Sequence, residues 1–214
     1  MTQEEFCNSD RIILNHFLAF SNGKFIATCL MLSNDVYKIL SLEEIYHRIS
    51  MNARDWAQVE YNDFKFWWRD PDIDWYQNKN WFDNLNCGPL EAIKNNKYIF
   101  YTCHDQDSYR YCKRIFPNAR ILSIVPDVGY CKINYKNKNC VVDQPVFESS
   151  RVWHELQEFV PCNLDVQVNQ RDLFQEQSFI KLISHIADKL NITIDMNRVL
   201  EYRNLYFKNK FNQL

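Results

Sequence analysis

The chain has 214 residues, of which 46% are hydrophobic and 24% are charged. This composition is typical of one globular domain with a sizeable core, and it excludes an intrinsically disordered chain. The formal net charge of −2 argues against general nucleic-acid binding, and no apolar run reaches the ~18 residues of a membrane span. The N-terminal residues are acidic and polar, unlike a secretory signal, so we expect a cytoplasmic protein without a membrane partner.

The sequence contains eight cysteines, and none of them forms a CxxC pair. Zinc ribbons and knuckles need such pairs to place four ligands around one ion, so zinc sites of these two kinds are disfavoured. Because a secretory signal is also missing, we expect reduced and mostly buried thiols rather than disulfides.

Strand-like and helical patterns alternate along much of the chain. Strands are predicted at residues 11–20, 97–102, 120–125 and 164–168. Helices are predicted at 25–32, at 108–116, from a Ser150 cap to residue 160, along the apolar stripe from Phe179 to Leu190, and at 196–211 after an Asp195 cap. The alternation predicts an α/β fold that is rich in helices and has a small parallel sheet.

One long segment departs from this alternation. Residues 41–44 (SLEE) form a capping box and predict a helix, whereas residues 61–82 are rich in aromatic side chains and are interrupted by Pro71. We therefore predict a single domain over residues 1–214, with a helical and aromatic insertion at about 45–90.

Functional residues are expected at one edge of the predicted sheet. In parallel sheets, ligands bind beyond the carboxyl ends of the strands. Residues 21–24, 103–105 and 126–127 each follow a predicted strand, so these three segments should meet at that edge.

The first of these segments reads SNGKF and lies between a strand and a helix. A helix N-terminus offers unpaired amides to a phosphate, glycine permits close approach, and lysine adds a positive charge. Gly23 and Lys24 match the pattern GxxxxGK[ST]. Leu18 replaces the first glycine and Phe25 replaces the Mg²⁺-binding hydroxyl residue, which argues against an ordinary ATPase or GTPase. Two interpretations remain: a metal-free anion site, and a strand–helix turn with a solvated lysine.

A histidine follows the second predicted strand. His104 could act as a general base, because histidine titrates near neutral pH, or it could be hydrogen-bonded to its loop. Asp105 and Asp107 are expected to cap the helix at 108–116. The other histidines, including His16 in the first strand, are expected to be structural or solvated.

The order of the segments adds a resemblance. SNGKF comes first, KYIFYTCHD and IFPNARILSI follow, and VNQRDLF with FIKLISHIADKLNI comes near the end. This succession resembles the sulfotransferase-like P-loop family, particularly its divergent members from phages and other viruses. The resemblance covers most of the chain except roughly residues 45–90. It implies a P-loop-type three-layer α/β/α fold.

The resemblance also implies an activity, which is transfer of a sulfuryl group from PAPS to a hydroxyl of a glycan or small molecule. Ser21, Asn22, Gly23 and Lys24 would form the phosphosulfate loop, and His104 would be the base facing it across the cleft. No metal is required. The arginine that the family carries after its third strand is replaced here, since Val125, Pro126 and Asp127 occupy that place.

Two alternatives remain open. The chain could be a catalytically degenerate member that keeps the fold as a binding or assembly protein, which the missing arginine and first glycine favour. It could also be a nucleotide or nucleoside kinase, which Phe25 in the Mg²⁺ position disfavours.

Overall fold

The structure is a computed structural model that describes residues 1–18, 21–37, 82, 87–103, 106–139, 147–148, 150–159 and 165–211. Its four strands are β1 (Ile12–His16), β2 (Ile99–Cys103), β3 (Arg120–Val125) and β4 (Val166–Asn169). They form one sheet in the order β2-β1-β3-β4, and every neighbouring pair is parallel. The predicted α/β class with a small parallel sheet is confirmed.

Eight α-helices surround the sheet in the described part of the chain. They are α1 (Gln3–Cys7), α2 (Gly23–Met31), α3 (Cys87–Lys94), α4 (Gln106–Ile115), α5 (Val128–Asn139), α6 (Arg151–Glu158), α7 (Glu176–Leu190) and α8 (Met196–Phe211). A 3₁₀ helix, Gln170–Leu173, connects β4 to α7.

The strands differ in burial according to their place in the sheet. All five residues of the central strand β1 are buried, as expected for a parallel strand that is covered on both faces. At the edge, β4 buries Val166 and Val168 but exposes Gln167 and Asn169. The outward face of β4 is therefore available to solvent in the described part of the structure.

Two consecutive residues of β1 show how helices reach both faces of the sheet, because neighbouring side chains on a strand point to opposite sides. Asn15 donates from Nδ2 to the carbonyl oxygen of Gly23, at the start of α2, over 3.1 Å. The ring of His16 lies 5.0 Å from the ring of Tyr109 in α4 and 5.0 Å from that of Phe159.

Apolar spacing and N-cap residues predicted several helices that are present in the structure. The stripe Phe179, Leu182, Ile183, Ile186 and Leu190 is buried along α7. Ser150 caps α6 by accepting from the Trp153 amide, and Asp195 accepts from two amides in the first turn of α8. On the same side of the molecule α8 packs on α2, where the ring of Phe25 stacks on those of Tyr202 and Tyr206.

Some boundaries differ from those predicted. The strand predicted at 11–20 ends at His16, because the chain then turns and the Ser21 amide bonds to the Leu18 carbonyl. Helix α4 begins at Gln106, so Asp107 lies inside the helix rather than at its cap. Helix α5 was not predicted. The capping box at 41–44 and most of the predicted insertion at about 45–90 lie outside the described residues.

The cysteines agree with the prediction wherever their side chains are described. Cys29, Cys103, Cys112 and Cys131 are buried, Cys7 is half-buried, and none of these five is in a disulfide. Among the helices that the structure describes, none has the length and apolar character needed to cross a membrane.

Candidate functional site

The carboxyl ends of three strands lie side by side. His16 at the end of β1 is in register with Cys103 of β2 on one side and with Ser123 of β3 on the other. The segments after β1, β2 and β3 therefore start from one edge of the sheet, as the sequence predicted. In a sheet with this strand order the connections diverge between β1 and β3, which is where ligands bind in open α/β folds.

The bend before α2 has the backbone shape of an anion site. Asn22 is left-handed, with φ 66° and ψ 22°, and Gly23 opens the right-handed helix. A left-handed residue beside a right-handed one turns successive amide groups to the same side. The first helical hydrogen bond runs from the Ile26 amide to the Asn22 carbonyl, so the helix offers no acceptor to the amides of residues 23–25. These amides can bind an anion.

Gly23 is required by packing rather than by its backbone angles. A Cβ at this position would lie 2.0 Å from the ring of Phe17, which is itself buried. No side chain fits there without moving that ring. The glycine therefore lets the start of α2 sit directly on the residue that follows β1.

Ser21 shapes the bend from inside. Its hydroxyl donates to the Leu18 carbonyl over 2.7 Å, and its amide bonds to the same oxygen over 3.1 Å. Both donors are thus used within the loop, and the residue is completely buried. In this structure Ser21 holds the turn in place rather than presenting a hydroxyl to a ligand.

Two predicted site residues are not fully described. Lys24 is the second residue of α2, but its side chain lies outside the described part of the structure, as does the whole of His104. Cys103, which precedes His104, is buried beside His16. The role of His104 as a base opposite the bend stays a prediction.

A buried polar network joins the bend to distant parts of the chain. Nδ2 of Asn22 donates to the hydroxyl of Tyr206 in α8 over 3.2 Å. Nε2 of Gln170 donates to Oδ1 of Asn22 over 2.8 Å, and Oε1 of Gln170 accepts from the Asp127 amide over 2.8 Å. Sequence reasoning missed Gln170 and Tyr206, because they lie 148 and 184 residues away from Asn22 and no local pattern marks them.

Asp127 occupies the place where the resemblance expects an arginine, but its charge is compensated. One carboxylate oxygen accepts from the amides of Gly129 and Tyr130 at the start of α5. The other lies 3.0 Å from the guanidinium of Arg171, a side chain that is 71% exposed. The loop after β4 thus brings an arginine to the position beside β3, another residue that sequence reasoning missed.

Two further polar residues of β1 lie beneath the site. Oδ1 of Asn15 is buried and has no hydrogen-bond partner among the described residues, although Nδ2 of the same side chain is bonded to Gly23. Nδ1 of His16 lies 3.2 Å from Oγ of Ser123, and its ring is held between two aromatic rings. His16 is a buried structural residue, one of the two outcomes predicted for it.

Comparison with known protein families and with curated proteins gives no match to this chain. Within the described ranges, no group of three or more histidine, cysteine, aspartate or glutamate side chains is arranged to hold a metal ion.

Proposed function

We propose that the chain is a P-loop-type three-layer α/β/α protein that binds the phosphosulfate end of PAPS at the bend before α2. The observation that carries the proposal is the left-handed Asn22 followed by the helical Gly23, at the carboxyl end of the central strand. Helices on both faces of the sheet support the layer arrangement. Six positions of the sequence separate His16, the end of β1, from Gly23, the start of α2, and this spacing is long enough for a backbone cradle.

The electrostatics of the bend favour an anion. The N-terminus of a helix carries roughly half a positive charge, and the first turn of α2 contains no acidic residue. Asp127 would repel a phosphate if its charge were uncompensated, but two amides and the Arg171 guanidinium already bind its carboxylate. The acidic residue is therefore compatible with a neighbouring anion.

The residues of the chain would have separate tasks in such a reaction. PAPS would supply the sulfuryl group, which moves to a hydroxyl of a glycan or small molecule. His104 would take the proton of that hydroxyl, while Lys24 and the amides of the bend would stabilise the negative charge that develops on the leaving side. No step requires a metal, and we place the reaction in the cytoplasm.

A binding or assembly protein without catalysis is the second candidate. It is favoured by Leu18, which stands in place of the first glycine of the phosphate-binding pattern, and by the engagement of both Ser21 donors inside the loop. A kinase is the third candidate, and Phe25 in the Mg²⁺-binding position argues against it.

Titration calorimetry with PAP, the desulfonated product of PAPS, tests the proposal. We expect micromolar binding that is lost in Lys24→Ala and kept in Lys181→Ala, because Lys181 is an exposed lysine of a different helix, α7. A chain that binds no PAP would contradict the proposal.

Two further results separate the alternatives. Binding of PAP without sulfuryl transfer to any hydroxyl acceptor would support the degenerate binding protein. Binding of ATP that depends on Mg²⁺ would support the kinase.

A further inference from the structure

We infer that Gln170 and Tyr206 are positioning residues that hold the Asn22 side chain away from α2 and so keep the first-turn amides of this helix available to a phosphate or sulfate ester. The inference rests on the proposed function and deepens it. Gln170 is completely buried, Asn22 is 7% exposed and Tyr206 is 8% exposed, so all three polar groups meet inside the protein.

The backbone fixes the direction of every hydrogen bond in this network. The Asp127 amide can only donate, so the atom of Gln170 that faces it must be the oxygen Oε1. Nε2 of Gln170 then faces Asn22 and must meet its oxygen Oδ1. Nδ2 of Asn22 is left to donate to the Tyr206 hydroxyl. The Asn22 carboxamide is therefore held in one orientation by two distant residues.

The left-handed backbone of Asn22, together with this orientation of its side chain, prevents the interaction that asparagine usually makes at a helix start, because a capping asparagine has an extended backbone. Asparagine is among the preferred N-cap residues, because its side-chain oxygen accepts from the second or third amide of the helix. Within the described structure Asn22 makes no such bond, since its Oδ1 accepts from Gln170 instead. A side-chain cap and a bound anion would compete for the same amides. By holding the side chain of Asn22, Gln170 keeps this residue from changing to the extended backbone that a side-chain cap needs.

An independent observation, a buried acceptor without a donor, indicates that a ligand binds at the first turn of α2. The Asn15 carboxamide lies against the first turn of α2, and its buried Oδ1 has no partner among the described residues. A buried acceptor left without a donor is unfavourable, so such groups are normally satisfied by a bound molecule or by water. The ligand that offers anionic oxygens to the amides would thus also bring a donor group near Asn15.

The inference predicts a loss of affinity and a specific rescue. Gln170→Leu frees the side chain of Asn22, so this residue can change to the extended backbone and cap its own helix. An anion must then displace the cap, and its affinity falls about tenfold. Adding Asn22→Gly to Gln170→Leu removes the competing side chain and should restore the affinity to within about twofold. A residue with only a structural role would not show this rescue.

Two substitutions outside the network, Gln167→Leu and Tyr202→Phe, serve as matched controls for Gln170→Leu and for a second network variant, Tyr206→Phe. Gln167→Leu alters an exposed glutamine on β4, three residues from Gln170, and should leave affinity unchanged. Tyr206→Phe removes only the hydroxyl that accepts from Asn22, and should lower affinity about twofold or more in a chain that keeps its aromatic packing. Tyr202→Phe, one turn earlier on the same helix and stacked on the same Phe25 ring, is its control.

The test measures dissociation constants of PAP and of inorganic pyrophosphate for the full chain and each variant, together with the melting temperature. If Gln170→Leu fails to fold, the comparison of Tyr206→Phe with Tyr202→Phe decides the inference.

Binding of PAP by the wild-type chain, lost in Gln170→Leu and rescued in the double variant, supports both the inference and the proposed function. Binding of PAP that is equal in all variants overturns the inference alone. Binding of pyrophosphate but not PAP, with the same loss and rescue, overturns the proposed function alone. A wild-type chain that binds neither probe overturns both.

Discussion

The ring of Phe17 lies directly beneath Gly23, where it fills the space that a side chain at position 23 would need. We therefore expect Gly23→Ala to lower the free energy of unfolding by about 1–3 kcal/mol through overpacking. Urea unfolding of the single variants and of Gly23→Ala with Phe17→Leu measures this contact. The smaller residue should relieve the clash, so the double variant should be more stable than the sum of the two changes predicts, by about 0.5–3 kcal/mol.

Gly129→Ala is the control for that cycle. Among the described residues, its new Cβ would meet an oxygen of Asp127, at 3.2 Å, on an exposed turn of α5. We expect a change within about 0.5 kcal/mol. Strict additivity of the changes at positions 17 and 23 would contradict the packing explanation.

Asn22 and Asn191 share a left-handed backbone, with φ 66° and φ 53°, but differ in what their side chains do. Asn191 is exposed at the end of α7, so Asn191→Gly should be neutral or stabilise the chain by up to about 1 kcal/mol. Asn22→Gly removes two buried hydrogen bonds and should destabilise it by about 1–2 kcal/mol. Thermal unfolding of the two variants measures the difference. Equal effects would show that the side chain of Asn22 contributes nothing to stability.

Arg203 holds the end of the 3₁₀ helix against α8. Its guanidinium donates to the carbonyls of Leu173 and Phe174 over 3.2 and 2.6 Å and lies over the rings of Phe179 and Phe207. Lysine cannot reproduce this planar set of donors, so Arg203→Lys should lower the free energy of unfolding by about 2 kcal/mol.

Arg198→Lys is the matched control on the same helix. Arg198 is exposed and pairs with Asp195 over 3.4 Å, so the change should stay within about 0.5 kcal/mol. Chemical denaturation measures the free energy of unfolding of both variants. The two values can be compared if the dependence of this free energy on denaturant concentration is unchanged. If the two substitutions have the same effect, the guanidinium of Arg203 has no special stabilising function.

The thiol of Cys7 should be unreactive at mildly alkaline pH. Burial raises its pKa to about 11 from an ordinary value of 9.0, so at pH 8 the thiolate fraction falls about 100-fold. Iodoacetamide should label Cys7 correspondingly more slowly in the folded chain than in urea, as followed by mass spectrometry.

The same shift sets the direction of a pH effect on stability. The folded chain retains the Cys7 proton to higher pH than the unfolded chain, so this stabilisation is present below pH 9 and is lost as the pH rises through about 11. The urea midpoint should fall over that interval and fall less in Cys7→Ser. Equal labelling rates of Cys7 in folded and unfolded chains would contradict the explanation that burial raises the pKa of this thiol.

The features that could be predicted from the sequence are those that depend on residues close together along the chain. The apolar stripe of α7 and the caps at Ser150 and Asp195 are local patterns, and each of them is present in the structure. Helix α5 was missed although Asp127 caps it, because Asp127 was interpreted as a substitute for an arginine rather than as a helix start.

The site could be predicted only in part, for a physical reason. The bend at Asn22 and Gly23 follows from the strand and helix patterns on either side of it. Its orientation depends on Gln170 and Tyr206, whose contacts with Asn22 form only after the sheet and α8 have assembled. A single sequence gives no periodicity or spacing that links residues so far apart.

The central position of β1 has a consequence for how the protein is made. Ile12 pairs with Ile99, and Ile13 pairs with Arg120, so β1 leaves the ribosome before both of its neighbours, which lie far downstream. At about 5–20 residues per second, the nascent chain carries this strand without a partner for roughly 4–17 s. Residues 12–14 (IIL) therefore form an unpaired apolar segment during translation, and a ribosome stalled before codon 99 would display them unprotected.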